Sequence, residues 1–273
     1  MIKSRITAAI WPWGTTQREQ METAAAAVSK IGYECFESVK QAIWAYDLDL
    51  KAYQEVLDRY NLKAVSFYYH LPKKERDAEA FENLERELEF IAALGVKRLC
   101  LQATGGRPEV MDKNAMDYEL DLVGRFAEKT KPYGIMTNIH PHSNTWVQYK
   151  PEIDNILRNL DSSTIQFAPD TAHLVAGLCD PYTVIEEYVD RVNFTHFKDV
   201  ASADLQSEGY ATGGMEVYKN FCELGTGNIN FKPIFELLKK HGYDGPLCEE
   251  LDHAPISNEE SAKNNFKFLM ENY

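Results

Sequence analysis

Cysteine is scarce in this chain. Of 273 residues only Cys35, Cys100, Cys179, Cys222 and Cys248 are cysteine, and no two stand as C-x-x-C. A scattered, odd set argues against a cysteine metal cluster or a disulfide framework and reads as reduced thiols in a cytoplasmic protein. Long hydrophobic runs are lacking as well. No stretch approaches the roughly 20 apolar residues of a membrane span, and Met1 to Trp13 lacks the apolar centre of a signal peptide. Positive charge is in short supply too, with 29 Lys and Arg against 42 Asp and Glu and a net charge of −13. A protein that grips phosphates releases counterions through clustered Lys and Arg, so this balance argues against a nucleic-acid partner. An anionic membrane surface is disfavoured for the same reason. There is also no Pro/Gly/Ser linker and no low-complexity segment, so residues 1–273 are read as a single domain.

What the chain does have is alternation. At 44% hydrophobic and 26% charged residues it can bury a sizeable core. Short β-branched or aromatic runs precede longer stretches with helical spacing. The expected strands are Arg5–Ile10, Glu34–Val39, Lys63–Tyr69, Lys97–Gln102, Ile135–His140, Thr164–Ala168, Arg191–His196 and Pro246–Leu251. The expected helices are Thr16–Ile31, Asp47–Tyr60, Lys74–Leu94, Asn114–Lys131, Pro151–Leu160, Tyr182–Tyr188, Phe231–His241 and Asn258–Glu271. Leu84, Leu88, Ile91 and Leu94 recur at the three-to-four spacing of a helix lying on a core. Eight such pairs predict an α/β fold, a single (β/α)8 TIM barrel. A doubly wound sheet would want a glycine-rich fingerprint after the first strand, and Trp11-Pro12-Trp13-Gly14 is not one.

In a barrel the active site lies at the carboxyl ends of the strands. His70, His140, His142, His173 and His196 all fall at or just beyond predicted strand ends, and His253 follows shortly after the eighth. Because strand side chains alternate with period two, His140 and His142 can look into the barrel mouth together, as can His196 and Lys198. Asp170 ends strand six and Glu250 ends strand eight. Any one of these residues is more often structural than metal-binding. Four successive strand ends offering imidazole and carboxylate groups nevertheless predict one divalent ion held by His140, Asp170, His196 and Glu250. Mn²⁺ or Co²⁺ is the first expectation, with Zn²⁺, Mg²⁺ and Fe²⁺ compatible.

At these residues the chain resembles the xylose-isomerase-like barrel superfamily of sugar phosphate isomerases, epimerases and inosose dehydratases. The markers are Gly32-Tyr33 before Phe36-Glu37, then Asp170-Thr171-Ala172-His173-Leu174, Gly177 with Asp180-Pro181, and His196-Phe197-Lys198-Asp199. Leu224 to Phe231, Gly242-Tyr243-Asp244-Gly245 and Glu250 follow in order. The family's metal set is Glu, Asp, His and Glu. The last three map onto Asp170, His196 and Glu250, and the first maps onto His140. That departure puts a symmetric two-glutamate epimerisation in doubt, and the His140-Pro141-His142 run with Thr145 looks more like the inosose dehydratases.

The resemblance implies a small sugar or polyol substrate and an enediolate intermediate, with a homo-oligomer compatible with the family. Isomerase or epimerase activity is the first expectation. A metal-dependent dehydratase is the alternative, and a catalytically silent barrel with a binding or regulatory role comes third. A multi-metal DNA-repair endonuclease of the same superfamily is disfavoured by the acidic charge. Glu250, His173, Lys198 and His142 are the expected catalytic groups. Glu250 or a histidine would move the proton next to the carbonyl, and His142 or His173 would act as acid if a hydroxyl leaves. His173 and Lys198 would contact substrate oxygens while Asp199 orients a neighbour. Lys198-Asp199 could equally be a solvent-exposed ion pair. The Gly225-Thr226-Gly227-Asn228 turn could cradle a phosphate or simply cap a helix. Arg107 is a weaker candidate for an anionic group, Trp11 and Trp13 could wall a sugar ring, and Glu37 is expected to hold hydrogen bonds rather than metal.

Overall fold

The computed structural model describes residues 2–201, 214–252, 254 and 256–273. Its strands are β1 (Ile6–Ala9), β2 (Cys35–Val39), β3 (Lys63–His70), β4 (Arg98–Gln102), β5 (Met136–His140), β6 (Ile165–Phe167) and β7 (His196–Phe197). The short β8 (Asp199–Val200) and β9 (Phe221–Cys222) pair antiparallel beyond β7, and β10 (Leu247–Glu249) completes the set. The eight long-path strands are parallel and run in the order β6-β5-β4-β3-β2-β1-β10-β7. Isolated parallel bridges Phe167–Val192 and Asp170–His196 join the two edges. The amide of His196 donates to the Pro169 carbonyl at 2.9 Å and that of Asn193 to the Phe167 carbonyl at 3.1 Å. The sheet is thereby closed into a single (β/α)8 barrel, its two edge strands joined to each other.

The helices are α1 (Arg18–Ile31), α2 (Lys40–Ala45), α3 (Leu50–Tyr60), α4 (Leu84–Ala93), α5 (Lys113–Thr130), α6 (Lys150–Asn159), α7 (Thr171–Ala176), α8 (Pro181–Glu187), α9 (Phe231–Lys240) and α10 (Asn258–Asn272). Side-chain caps start several of them: Asp49 accepts from the amide of Ala52, Asp112 from Ala115 and Asp180 from Thr183, each meeting an otherwise unpaired donor. Outward strand residues such as Phe36, Phe67, Leu99, Ile139 and Phe167 are buried against the helices. The inward set is small or polar: Ala9, Cys100, Ala168 and Cys248 pack with Phe194, while Thr7, Ser66 and Asn138 are fully buried. A lumen filled this way leaves room at its upper end for longer polar side chains.

Two expected elements differ in detail. The single helix expected over Lys74–Leu94 is interrupted: a 3₁₀ segment runs over Lys74–Ala80, and Asn83, at φ 58°, turns the chain left-handed before α4 begins. The strand expected over Arg191–His196 is shorter and later. Val189–Arg191 is a 3₁₀ turn, because the Arg191 guanidinium is tied to the carbonyls of Leu157, Leu160 and Ile165 beneath it. The short α2 and α7 and the β8–β9 pair were not expected.

Candidate metal centre

Period-two alternation carries His140 inward at the end of β5, and His196, Lys198 and Glu250 inward at the ends of β7 and β10. Asp170 follows β6 as the residue before α7, where one carboxylate oxygen, Oδ1, accepts from the amide of His173 at 2.8 Å. Its other oxygen is thereby aimed away from the helix. One ligand atom from each of His140, Asp170, His196 and Glu250 lies within 4.8 Å of the others. The first three have no exposure and Glu250 has 3%.

Hydrogen bonding shows which atoms are free to bind an ion. Nε2 of His196 lies 2.5 Å from Glu37 Oε2. A carboxylate there accepts Nε2–H and leaves Nδ1 as the lone-pair nitrogen. That Nδ1 is 3.2 Å from His140 Nδ1 and 3.2 Å from Glu250 Oε2. Nδ1 of His140 has the Ala168 carbonyl at 3.3 Å as an acceptor, so its lone pair sits on Nε2. His140 Nε2, Asp170 Oδ2 and Glu250 Oε2 are all buried without a hydrogen-bond partner. Three orphaned acceptors in one spot would each cost on the order of 1–3 kcal/mol, and a cation between them removes that penalty. The residues fit a divalent ion.

Electrostatics point the same way. Burial pushes the carboxyls of Asp170 and Glu250 up to about 7, although Lys198 pulls both back. Burial holds the imidazole of His140 well below its ordinary value, with His196 adding to the effect. Among the described residues the buried cation at the cluster is Lys198, whose ammonium lies 2.7 Å from Glu250 Oε1, 2.7 Å from Asp252 Oδ2, 3.6 Å from Asp170 Oδ2 and 4.9 Å from the centre of the Phe221 ring. Burial alone would lower Lys198, yet Asp170, Asp252 and Glu250 together raise it well above its usual value.

Around the cluster stand further groups. The rings of His142 and His173 lie 3.7 Å apart and tilted by 37°, with His140 at 5.6 and 5.9 Å from them. Burial lowers His142 to about 4 and takes His173 well below its usual value, so both are neutral. Trp11 packs edge-on to His196 at 5.8 Å and against Tyr68 at 5.2 Å, forming an aromatic wall beside the cluster.

Other expectations resolve differently. Lys198 and Asp199 are not a solvent-exposed pair; both are fully buried. The carboxylate of Asp199 accepts from the amides of Val200, Gly225, Gly227 and Ile229 at 2.8–3.0 Å. The turn's amides are therefore already committed, and it is not a phosphate cradle. Arg107 is held bidentately by Glu152 at 2.5 and 2.8 Å and is not free for substrate. His70 is not brought to the cluster; it lines a separate cavity of about 370 Å³ with Lys40, Trp44 and Glu79. His253 lies outside the described residues. Asp252 and Ser143 were not anticipated as participants. Asp252 could have been suspected from its place two residues after Glu250, whereas Ser143, whose amide and hydroxyl both reach Nδ1 of His173, carries no sequence signal.

Comparison with known proteins identifies the family and the fold. Residues 25–272 match the family model described as xylose isomerase-like TIM barrel. An inosose dehydratase from Lacticaseibacillus casei (strain BL23) is 28% identical over 93% of this chain and 91% of its own length. Among solved structures, an L-ribulose 3-epimerase superposes with a TM-score of 0.79 at 16% identity, covering 98% of this chain and 94% of its own. The IOLI protein, whose structure holds a zinc atom, superposes at 0.78 and 14% identity, covering 98% and 99%. At such identities the structural likeness is one of fold.

Proposed function

The chain belongs to the xylose isomerase-like TIM barrel family, and we propose that it is a metal-dependent lyase that removes water from a keto-polyol. One observation carries this reading over its rivals: two neutral imidazoles, His142 and His173, stand together beside a ligand cluster whose first member, His140, is not a carboxylate. Epimerisation asks for two bases opposed across the substrate. Dehydration asks for a base and an acid within reach of neighbouring carbons. The kinship with an inosose dehydratase supports the same choice.

His140, Asp170, His196 and Glu250 would hold a divalent ion, which would supply Lewis-acid polarisation worth several kcal/mol of transition-state charge. The chain's own residues do the rest. Glu37 fixes the ring of His196, and Lys198 holds Glu250 by its Oε1 so that Oε2 stays turned to the cluster. Lys198 is also the donor placed to steady a substrate oxygen, and Trp11 and Tyr68 exclude water from one side. A proton next to the carbonyl passes to Glu250 or to a histidine, and the departing hydroxyl takes a proton from the imidazole pair. Five unpaired cysteines are in keeping with a cytoplasmic setting. Among the described residues no helix is long and apolar enough to cross a membrane.

Isomerisation or epimerisation through the same enediolate is the second reading. It would use the same cluster and the barrel fold that this chain shares with the L-ribulose 3-epimerase. Metal analysis of the purified protein, followed by incubation of keto-inositols and ketohexoses in deuterated buffer with Mn²⁺ or Co²⁺, separates the readings. One ion per chain with loss of one water from a keto-inositol supports the lyase. Deuterium uptake without loss of water supports the isomerase. No ion and no reaction means a silent barrel, and several ions per chain mean a nuclease-like centre.

A further inference from the structure

The residue between two of the histidines decides what each can do. The carbonyl of Ser143 lies 2.8 Å from Nδ1 of His142. A carbonyl only accepts, so His142 carries its proton on Nδ1, and its Nε2 is left with a lone pair. The amide of Ser143 lies 3.2 Å from Nδ1 of His173, with the hydroxyl of the same residue at 3.0 Å. An amide only donates, so Nδ1 of His173 accepts, and the proton of this neutral ring sits on Nε2. That Nε2 is buried and has no partner. One peptide thus imposes opposite tautomers on two rings whose centres lie 3.7 Å apart at a tilt of 37°.

We propose that Ser143 is a positioning residue that makes His142 the proton acceptor and His173 the proton donor of a one-sided elimination. This rests on the lyase reading above. His142 Nε2 takes the proton from the carbon next to the substrate carbonyl and becomes an imidazolium, and the C–H electron pair passes into the enolate. The enolate pair then forms the new carbon–carbon double bond as the C–O bond to the neighbouring carbon breaks. The departing hydroxyl takes the Nε2 proton of His173 and leaves as water. His173 regains a proton from solvent and His142 returns one, so the site is restored with no other reagent. Because the two rings lie side by side, 3.7 Å apart, both transfers occur on the same face of the substrate. With its proton on Nε2 and Nδ1 accepting from Ser143, His173 has no lone pair to give and is not a metal ligand. A centre built from His140, His142 and His173, whose nitrogens also lie within 4.8 Å of one another, is therefore not formed.

The test reads the tautomers directly. Protein labelled with ¹⁵N-histidine is examined by long-range proton–nitrogen correlation, with His142→Gln and His173→Gln assigning the two rings by loss of their signals. The expected result is Nδ1–H for His142 and Nε2–H for His173, unchanged in Ser143→Ala, which keeps the peptide. The same tautomer in both rings, or a switch in Ser143→Ala, would overturn the role of the Ser143 peptide. A keto-inositol in deuterated buffer then checks the division of labour. His142→Gln should lose solvent exchange next to the carbonyl and water loss together, while His173→Gln should keep exchange but lose water about 100-fold more slowly. Exchange that survives in His142→Gln would overturn the assignment. A wild-type protein that neither exchanges nor dehydrates the keto-inositol would sink the lyase reading instead, and the nitrogen spectra would still decide whether Ser143 sets the rings.

Discussion

Glu37 and His196 are joined by a 2.5 Å hydrogen bond between residues that are both fully buried, one from the second strand and one from the seventh. Ser66 donates to the other oxygen of Glu37 at 2.7 Å, so the carboxylate cannot swing away. The consequence is a fixed ring with Nδ1 presented to the cluster. Partners of this kind are typically worth 10–100-fold in metal affinity. Glu37→Gln, which can still accept through its amide oxygen, should weaken Mn²⁺ or Zn²⁺ binding about tenfold, and Glu37→Ala about a hundredfold. Titration calorimetry checks both, and affinity equal to wild type in Glu37→Ala would remove Glu37 from any positioning role.

Lys198 is surrounded by three carboxylates and has no exposure. Removing one partner of a buried charge network is strongly destabilising, because the remaining charges are left without compensation. Lys198→Met keeps the length of the side chain and should cost about 3–5 kcal/mol in the metal-free protein. A divalent ion restores positive charge next to Asp170 and Glu250, so part of the loss should return on adding Mn²⁺. Urea unfolding with and without the ion measures this. A Lys198→Met protein as stable as wild type, or one indifferent to the ion, would contradict the account of the site's charge.

The barrel and its four-membered cluster were legible because both follow from periodicity. Strand runs separated by helical spacing give the order of elements, and the period of two places His140, His196 and Glu250 on the inner face. Lys198 was legible as a position but not as an environment: nothing local in His196-Phe197-Lys198-Asp199 says whether the pair faces water. That depends on Glu250 and Asp252, more than fifty residues later, and on four amides between Val200 and Ile229. The break at Asn83 was hidden because an asparagine in the left-handed region leaves the apolar spacing on either side intact. Ser143 was invisible for a different reason. The contribution proposed for it is a peptide group, and every residue has one.

Asp199 fills the turn from Gly225 to Ile229 so closely that a Cβ at Gly227 would stand 2.5 Å from its Oδ1 and 2.3 Å from the Val200 carbonyl. The carboxylate satisfies four backbone donors that would otherwise be short of acceptors. Asp199→Ala should therefore destabilise the protein by several kcal/mol, since each buried unpaired amide costs on the order of 1–3 kcal/mol. With the carboxylate gone, the same amides form an anion site. Inorganic phosphate should raise the melting temperature of Asp199→Ala more than that of wild type. Equal phosphate effects on the two proteins would show that the amides find other partners.

Glu119, on α5 and not a member of the four-residue cluster, gives a pH dependence that can be isolated. Its Oε1 accepts from the amide of Thr104 at 2.9 Å, its Oε2 is buried without a partner, and burial raises the carboxyl from 4.5 to about 7. Between those two values the folded protein keeps a proton that the unfolded chain has released. Stability must therefore fall as pH rises through this window, and a shift of this size corresponds to on the order of 3 kcal/mol. Glu119→Gln retains an oxygen for Thr104 and never ionises, so the penalty disappears. The variant should be close to wild type at pH 5 and more stable at pH 8. Taking the difference between the two proteins at each pH cancels the titration of every other carboxyl, including those of the metal centre. If urea unfolding gives the same difference at pH 5 and pH 8, Glu119 does not titrate in this range and its burial is compensated by something other than a proton.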